Sequence, residues 1–360
     1  MKRLLVMGIL LIPLLVYLTV CSGNPNSGGG ITLTQTVGST VVTTWKDNKA
    51  CAYSISFDDS LYNSNIKFEQ SFNTYDLYGS LVLITKYIDD GTNPWHENNG
   101  SWSLYKAMLD RGRFDVISHT LTHPDLRTLT AVQIDAELAT SYDKIYSNTG
   151  YKPLVMGAPY GANNSTVMKE AAKYYLADRT ALVDFSNGGN EYDTTDYYNL
   201  KCSCALTNTT VKELNNFLDQ AIAEKSWSIL VGHGCDGEGY SPPTLATWNS
   251  HFRYIQSKAS LIWNGKLNDV IRYLKERQFA SISFGFATSS QIQVSLNHSL
   301  DNSIYNYPLT LRTQVPAGWS SATVVQGSSS KLVSVITENV AKYIYYEAIP
   351  NQGLITISGS

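Results

Sequence analysis

Ser54-Ile55-Ser56-Phe57-Asp58-Asp59-Ser60 is an apolar, β-favouring run that ends in two adjacent carboxylates and a turn-forming serine. Side chains alternate between faces along a strand, so neighbouring aspartates share one site only where the strand ends and the backbone turns. The stretch therefore places chemistry at the C-terminal edge of a strand. Asp-Asp-Ser is also an ordinary turn sequence, and the weight falls on what surrounds it.

Downstream, strand-like and helical runs alternate. The strand-like runs are 52–57, 80–85, 114–118, 154–157, 176–178, 228–232 and 280–284; the helical periodicities are 65–75, 101–111, 130–148, 163–175, 210–225 and 266–277. Thr130 with Gln133 and Thr210 with Glu213 form capping boxes, in which hydroxyl and side-chain carbonyl satisfy amides left over at a helix start. Strands alternating with helices predict an α/β fold with a parallel sheet, most economically a (β/α) barrel whose site lies at the strands' C-terminal ends. Residues 31–44 predict an N-terminal strand or hairpin leading into that core. After 284 the alternation gives way to short β-type runs (291–296, 308–313, 322–326, 332–337, 342–348, 354–357) separated by Asn, Gly, Pro and Ser. These predict a small antiparallel sandwich with a boundary between 285 and 290. The expected organisation is a barrel over 31–285 and an all-β domain over 286–360.

The 360 residues are 43% hydrophobic and 16% charged, a globular composition with room for a sizeable core. A net charge of -3 and a pI near 6.1 offer no basic face for nucleic acid. Met1-Lys2-Arg3 followed by the apolar run to Val20 reads as an export signal. Leu18-Thr19-Val20-Cys21 resembles the bacterial lipoprotein signal, with Val20 departing from the usual Gly or Ala, and a cleaved secretory peptide or an uncleaved anchor are the alternatives. All three put the protein outside the cytoplasm, with membrane contact only through its N-terminus. Residues 22–30 read as a flexible tether. Cys51, Cys202, Cys204 and Cys235 remain for disulfides in an oxidising compartment, and a bridge from the 202/204 segment to Cys235 is expected. Cys202-Ser203-Cys204 is too tightly spaced for a typical zinc pair.

Four features carry chemistry. The first is the Asp58-Asp59 pair. In Ser118-His119-Thr120-Leu121-Thr122-His123-Pro124, two histidines four apart are placed on one side of a helical turn, within reach of one ion. Two His and one Asp make a three-ligand set for Zn²⁺ or a similar divalent ion, with a position open for water. Gly157-Ala158-Pro159-Tyr160-Gly161 makes a tight turn that can aim a backbone N–H at a developing oxyanion. The strand 228–232 ends in His233 between two glycines, which suits an accessible general acid. Trp95, Trp102 and Trp248 are candidate sugar platforms or core; Trp263 reads as packing, and His96, His251 and His298 as structural or solvated.

Taken in order, these features resemble the polysaccharide deacetylases, carbohydrate esterase family 4, over roughly 52–285. The resemblance implies a distorted (β/α) barrel and a divalent metal, most simply Zn²⁺. It implies Asp58 as catalytic base, Asp59, His119 and His123 as metal ligands, the Tyr160 N–H as an oxyanion donor and His233 as catalytic acid. Members often carry an arginine where this chain has Gly157. Arg179, at the end of the next strand-like run, is the expected substitute, because neighbouring barrel strands end at one rim. The fourth motif, an Asp with a Trp, has no clear counterpart, and Asp178 or Asp184 is expected to orient His233. The implied activity is hydrolytic removal of N- or O-acetyl groups from a glycan. The alternatives are a non-catalytic carbohydrate-binding protein on the same scaffold and a metal-dependent hydrolase of another amide.

Overall fold

The computed structural model describes residues 36–92, 100–180, 185, 189–194 and 196–360. The export signal, Cys21 and the tether lie outside them, as do Trp95, His96 and Asp184. Among the described residues no helix is long and apolar enough to cross a membrane.

In chain order the elements are β1 (Thr40–Val42), β2 (Cys51–Phe57), α1 (Tyr62–Tyr75), β3 (Gly79–Leu83), α2 (Thr85–Asp90), α3 (Trp102–Asp110), β4 (Phe114–Ser118), α4 (Ala131–Thr149), β5 (Val155–Gly157), α5 (Ser165–Ala171) and β6 (Ala177–Arg179). There follow β7 (Ser203–Cys204), α6 (Val211–Glu224), β8 (Trp227–Gly232), α7 (Leu245–Ser257), β9 (Ile262–Asn264) and α8 (Leu267–Phe279). The strands from β2 to β8 form one parallel sheet in the order β6-β5-β4-β3-β2-β8-β7, with β9 beside the start of β2. Arg179 also bridges Leu200 in parallel, while Ser203 and Cys204 pair with Leu230 and Val231. Among the described residues the circuit of strands closes through the short stretch 200–204, giving the distorted (β/α) barrel expected.

Every residue of β2 is buried, as a strand covered on both faces requires. Its alternation divides the core. Tyr53, Ile55 and Phe57 pack with Phe68 and Phe72 of α1 and Trp248 and Phe252 of α7; Ala52 belongs with Val82, Ile117 and Ile229 in a second cluster that includes Leu267, Ile271 and Leu274 of α8. The sequence reading lacked α2 and α7. Thr244 caps α7 by accepting from the Thr247 N–H (3.1 Å), and Trp248, His251, Phe252 and Ile255 are its buried face, a stripe diluted by a histidine.

The remaining strands are β10 (Ser281–Ala287), β11 (Gln291–Asn297), β12 (Leu309–Val315), β13 (Ser321–Gln326), β14 (Ser329–Ser334), β15 (Ile336–Glu338), β16 (Ala341–Ala348) and β17 (Leu354–Gly359). They form two sheets, β10-β11-β17-β13-β14 and β1-β12-β16-β15, with antiparallel pairing throughout. Two expectations change here. The run at 280–284 is no barrel strand but β10, an edge strand antiparallel to β11, and the N-terminal strand is β1, paired with β12 rather than with the barrel. The all-β part therefore begins at Ser281 and recruits a strand from the other end of the chain. β-propensity reports that a segment fits a pleated surface, not which sheet receives it. The two parts also share a core. Tyr307 stacks on Trp263 (6.2 Å between ring centres), its N–H donates to Glu276 of α8 (2.8 Å), and residues 36–360 form one compact unit.

Cys51, Cys202, Cys204 and Cys235 are buried free thiols, so the expected bridge is absent. The two ends of that bridge face different groups: the Cys202 thiol donates to the Thr180 carbonyl, whereas Cys235 lies against Ser64. Burial pushes the Cys51 thiol up to about 12 and Cys235 up to about 11, which makes them unreactive.

Candidate metal centre and active site

Where β2 ends, the Asp58 N–H donates to the Gly232 carbonyl at the end of β8 (2.9 Å). Asp59 and Ser60 then adopt left-handed backbone angles, φ 72° and 56°, and the Asp59 carboxylate lines the same cavity as that of Asp58. Such a conformation costs on the order of 1–3 kcal/mol per residue. The cost is offset by Ser60, whose Oγ accepts from the Ile84 N–H (2.9 Å) and whose carbonyl accepts from the Tyr105 hydroxyl (2.8 Å).

The histidine segment is not the expected helical turn. Thr120 and His123 have φ of 66° and 63°, and the Thr120 hydroxyl accepts from the His123 N–H (2.9 Å). Glu137, reaching from α4, accepts from the N–H groups of Leu121 (3.0 Å) and Thr122 (2.8 Å) and from the Thr122 hydroxyl (2.6 Å). Sequence reasoning missed this carboxylate because nothing local distinguishes it from other glutamates on an amphipathic helix. The His119 Nδ1–H donates to the Gly157 carbonyl (2.6 Å), which turns Nε2 toward the cavity with its lone pair available.

His119 Nε2 and His123 Nε2 are 3.2 Å apart, and they lie 3.5 and 3.6 Å from Asp59 Oδ1. Tetrahedral bonds of about 2.0–2.2 Å require donors roughly 3.3–3.6 Å apart, so the three atoms fit a single ion of that size. Burial and the neighbouring His119 lower His123 to about 4. Burial alone would raise Asp59, but the histidines gathered around it outweigh burial and bring the carboxyl down to about 2. At neutral pH one is an uncharged imidazole and the other a carboxylate, the forms that ligate metal.

Asp58 is held differently. Arg179, 0% exposed, pairs through Nη2 with Asp58 Oδ1. Burial opposes its charge, the carboxylate more than restores it, and the guanidinium pKa ends above its ordinary value. Gly157 makes room for this pair. Gly157 and Arg179 are in register on β5 and β6, and a side-chain carbon at 157 would lie 2.8 Å from Nη2 and 2.9 Å from Cζ of Arg179. Glycine on one strand leaves the space that the guanidinium from the next strand fills. Asp58 Oδ2 faces His119 Nε2 at 3.7 Å and His233 Nε2 at 3.8 Å.

Tyr160 also has a positive φ, 61°, in a turn where the Gly161 and Ala162 N–H groups donate to Ala158 and Pro159 (3.0 Å each). Beneath it lies Asp178, which accepts from the Ala158 N–H (3.1 Å) and the Asn163 side-chain amide (3.0 Å) and whose pKa is raised by burial. Asp178, one of the two residues expected to orient His233, therefore supports the Tyr160 turn instead, and Asp184, the other, lies outside the described residues. The place of Asp178 on β6 aims it at the β5 loop. Among the described residues His233 Nδ1 has no hydrogen-bond partner.

Asp58, Asp59, His119, His123, Tyr160 and His233 line one cavity of about 630 Å³, with Arg179 beneath Asp58. Cys204, Leu206 and Tyr240 also line it and were not anticipated. Among the described residues the candidate tryptophans are elsewhere: Trp248 and Trp263 are buried, and Trp102 donates to Asp89 (2.7 Å).

Residues 46–177 match the family model of polysaccharide deacetylase. The chain is 25% identical over 349 residues to a gellan lyase of Bacillus sp, a match over 90% of this chain and 13% of that protein. It is 28% identical over 148 residues to a probable peptidoglycan-N-acetylglucosamine deacetylase of Arthroderma benhamiae, over 39% of this chain and 30% of that one. The chain thus spans less than a third of the length of either relative. Among solved structures it is similar to a putative polysaccharide deacetylase from Mycobacterium smegmatis, with a TM-score of 0.48, 12% identity, and 68% of this chain and 96% of that chain covered.

Proposed function

Because residues 46–177 carry a polysaccharide deacetylase domain, we propose that the chain is a metal-dependent hydrolase that removes acetyl groups from a carbohydrate polymer. The observation that supports this most directly is the Asp59-His119-His123 donor set, spaced for one ion, with the ion-paired carboxylate of Asp58 beside it. Asp59, His119 and His123 would hold the ion, and imidazole donors at four-coordinate spacing favour Zn²⁺. Bound there, it would supply polarisation of the acetyl carbonyl and a lowered pKa for water.

Asp58 takes the proton of the attacking water, and Arg179, paired with its Oδ1, fixes that carboxylate in direction. The Tyr160 N–H donates to the oxyanion that develops on the carbonyl oxygen. His233, whose Nε2 faces Asp58 Oδ2 at 3.8 Å, gives a proton to the departing sugar nitrogen or oxygen. Acetate and a deacetylated sugar leave. The deacetylase relative's name points to an N-acetyl sugar polymer, whereas the gellan lyase match covers too little of that protein to argue for lyase chemistry.

The test is acetate release from a panel of N- and O-acetylated glycans by the chain starting at Ile31, after chelation and after zinc is restored. We expect zinc-dependent release that falls at least about a thousandfold in His119→Ala, the several kcal/mol that a catalytic ion contributes. Tight binding of one ion per chain without release from any glycan would instead favour a non-catalytic carbohydrate-binding scaffold.

A further inference from the structure

We propose that Tyr240 is a sugar-binding platform, on which the pyranose ring carrying the acetyl group stacks. The proposal rests on the carbohydrate reading above and adds to it the residue that grips the sugar. Tyr240 lines the cavity, and its ring centre is 5.9 Å from that of His233, edge to face at 76°. With 66% of its surface exposed, the ring keeps a face open. In the deacetylation, His233 protonates the nitrogen or oxygen that stays with the sugar, so the sugar itself must sit at His233. An aromatic face beside that histidine therefore meets the sugar ring and not the acetyl methyl.

The loop that carries Tyr240 is built to hold it still. Gly234 and Gly239 have φ of 86° and 109°, and a side-chain carbon at either would run into the backbone of the opposite limb, Glu238 or His233, and into Leu61. The two limbs therefore touch backbone to backbone, wedged on the residue that follows the Asp58-Asp59-Ser60 turn. Ser64 of α1 donates to Glu238 and accepts from the Cys235 N–H (3.1 Å). Lys67 pairs with Asp236 (3.1 Å), which also accepts from the Leu245 N–H (2.9 Å). An aromatic ring on so constrained a loop loses little freedom when a ligand lands on it. Tyr160, 64% exposed, lies against His123 at 4.8 Å. The two exposed tyrosines thus mark the metal end and the acid end of the site, an arrangement suited to an extended glycan.

The experiment compares wild type, Tyr240→Ala and Tyr240→Phe on two acetylated hexasaccharides, hexa-N-acetylchitohexaose and acetylated xylohexaose, and on 4-nitrophenyl acetate, which has no sugar. In parallel, calorimetry measures binding of the deacetylated hexamers, which cannot turn over. For Tyr240→Ala we expect kcat/KM on a hexasaccharide to fall about tenfold further than on the nitrophenyl ester, mainly through KM, with hexamer binding weakened by a similar factor and Tyr240→Phe restoring both. Equal losses on sugar and ester would overturn the platform in favour of an effect through His233. Acetate release combined with hexamer binding indifferent to Tyr240→Ala would sink the platform and leave the deacetylase reading standing. Hexamer binding that depends on Tyr240 without any acetate release would do the reverse, and wild type that binds no hexamer would overturn the platform.

Discussion

At the rim of the parallel sheet Asp58, Asp59, His119, His123, Asp178 and Arg179 are all buried, whereas in the C-terminal sheets the buried polar residues are the hydroxyls Thr310 and Thr313. Both regions bury strands, yet they treat charge in opposite ways. A parallel sheet sheathed by helices has its side-chain faces filled, so charged groups gather at the strand ends, where loops supply partners. An antiparallel sheet with one solvated face sorts residues by alternation, as β11 does with Ile292, Val294 and Leu296 inward and Gln291, Gln293 and Ser295 outward. The first arrangement concentrates desolvated charge that can act on a ligand, and the second buries apolar side chains and leaves the polar ones at the surface.

That contrast can be broken most severely at Arg179. Arg179→Ala leaves Asp58 buried without its counter-charge, which should cost about 3–5 kcal/mol of unfolding free energy and at least about a hundredfold in deacetylation. Combining Gly157→Arg with Arg179→Gly, which returns the guanidinium from the neighbouring strand, should recover much of both. Denaturant unfolding and acetate release together read the outcome, and a double variant no better than Arg179→Ala would show that the two positions cannot exchange the guanidinium.

In the sandwich, Ile357→Ala should cost about 3 kcal/mol through the cavity left by a fully buried side chain, with kcat per folded molecule unchanged. A fall in kcat would mean that the sandwich shapes the site, and would erase the functional half of the contrast.

The smallest effect asks whether a buried polar group away from the rim also carries a pH cost. His251 sits between the Tyr53 hydroxyl (3.0 Å) and Asn215 (2.9 Å), and burial lowers its pKa to about 3. Below its ordinary value near 6.5 the unfolded chain binds a proton that the folded chain refuses, so this contribution is complete above pH 6.5 and declines as pH falls toward 3. Between pH 6.5 and 5 the loss should be about 1–2 kcal/mol, and unfolding curves of His251→Gln should show a decline shallower by that amount.

Much of this was legible without coordinates. Alternation gave the parallel sheet, and Phe57-Asp58-Asp59 gave a strand delivering carboxylates to its own end. His119 and His123 were paired by spacing, although their turn is left-handed and held by Glu137. Arg179 followed from the rule that barrel strands end at one rim, but the space it occupies beside Gly157 depends on register between β5 and β6. Between Asp178 and Asp184 the sequence offered no choice, and Asp178 supports the Tyr160 turn because its partner is fixed by which loop lies above it.

What the sequence determined by itself was the kind and order of elements and the residues able to do chemistry, since periodicity, capping and side-chain type act over a few neighbouring positions. What only the tertiary structure decided was partnership: β1 and β10 joining the sandwich, Glu137 bracing the histidines, four cysteines remaining free, and Tyr240 standing beside His233. Those outcomes depend on packing between segments far apart in the chain. Hydrogen bonds and buried charges are satisfied by whichever group arrives within about 3 Å, and sequence distance carries no record of that.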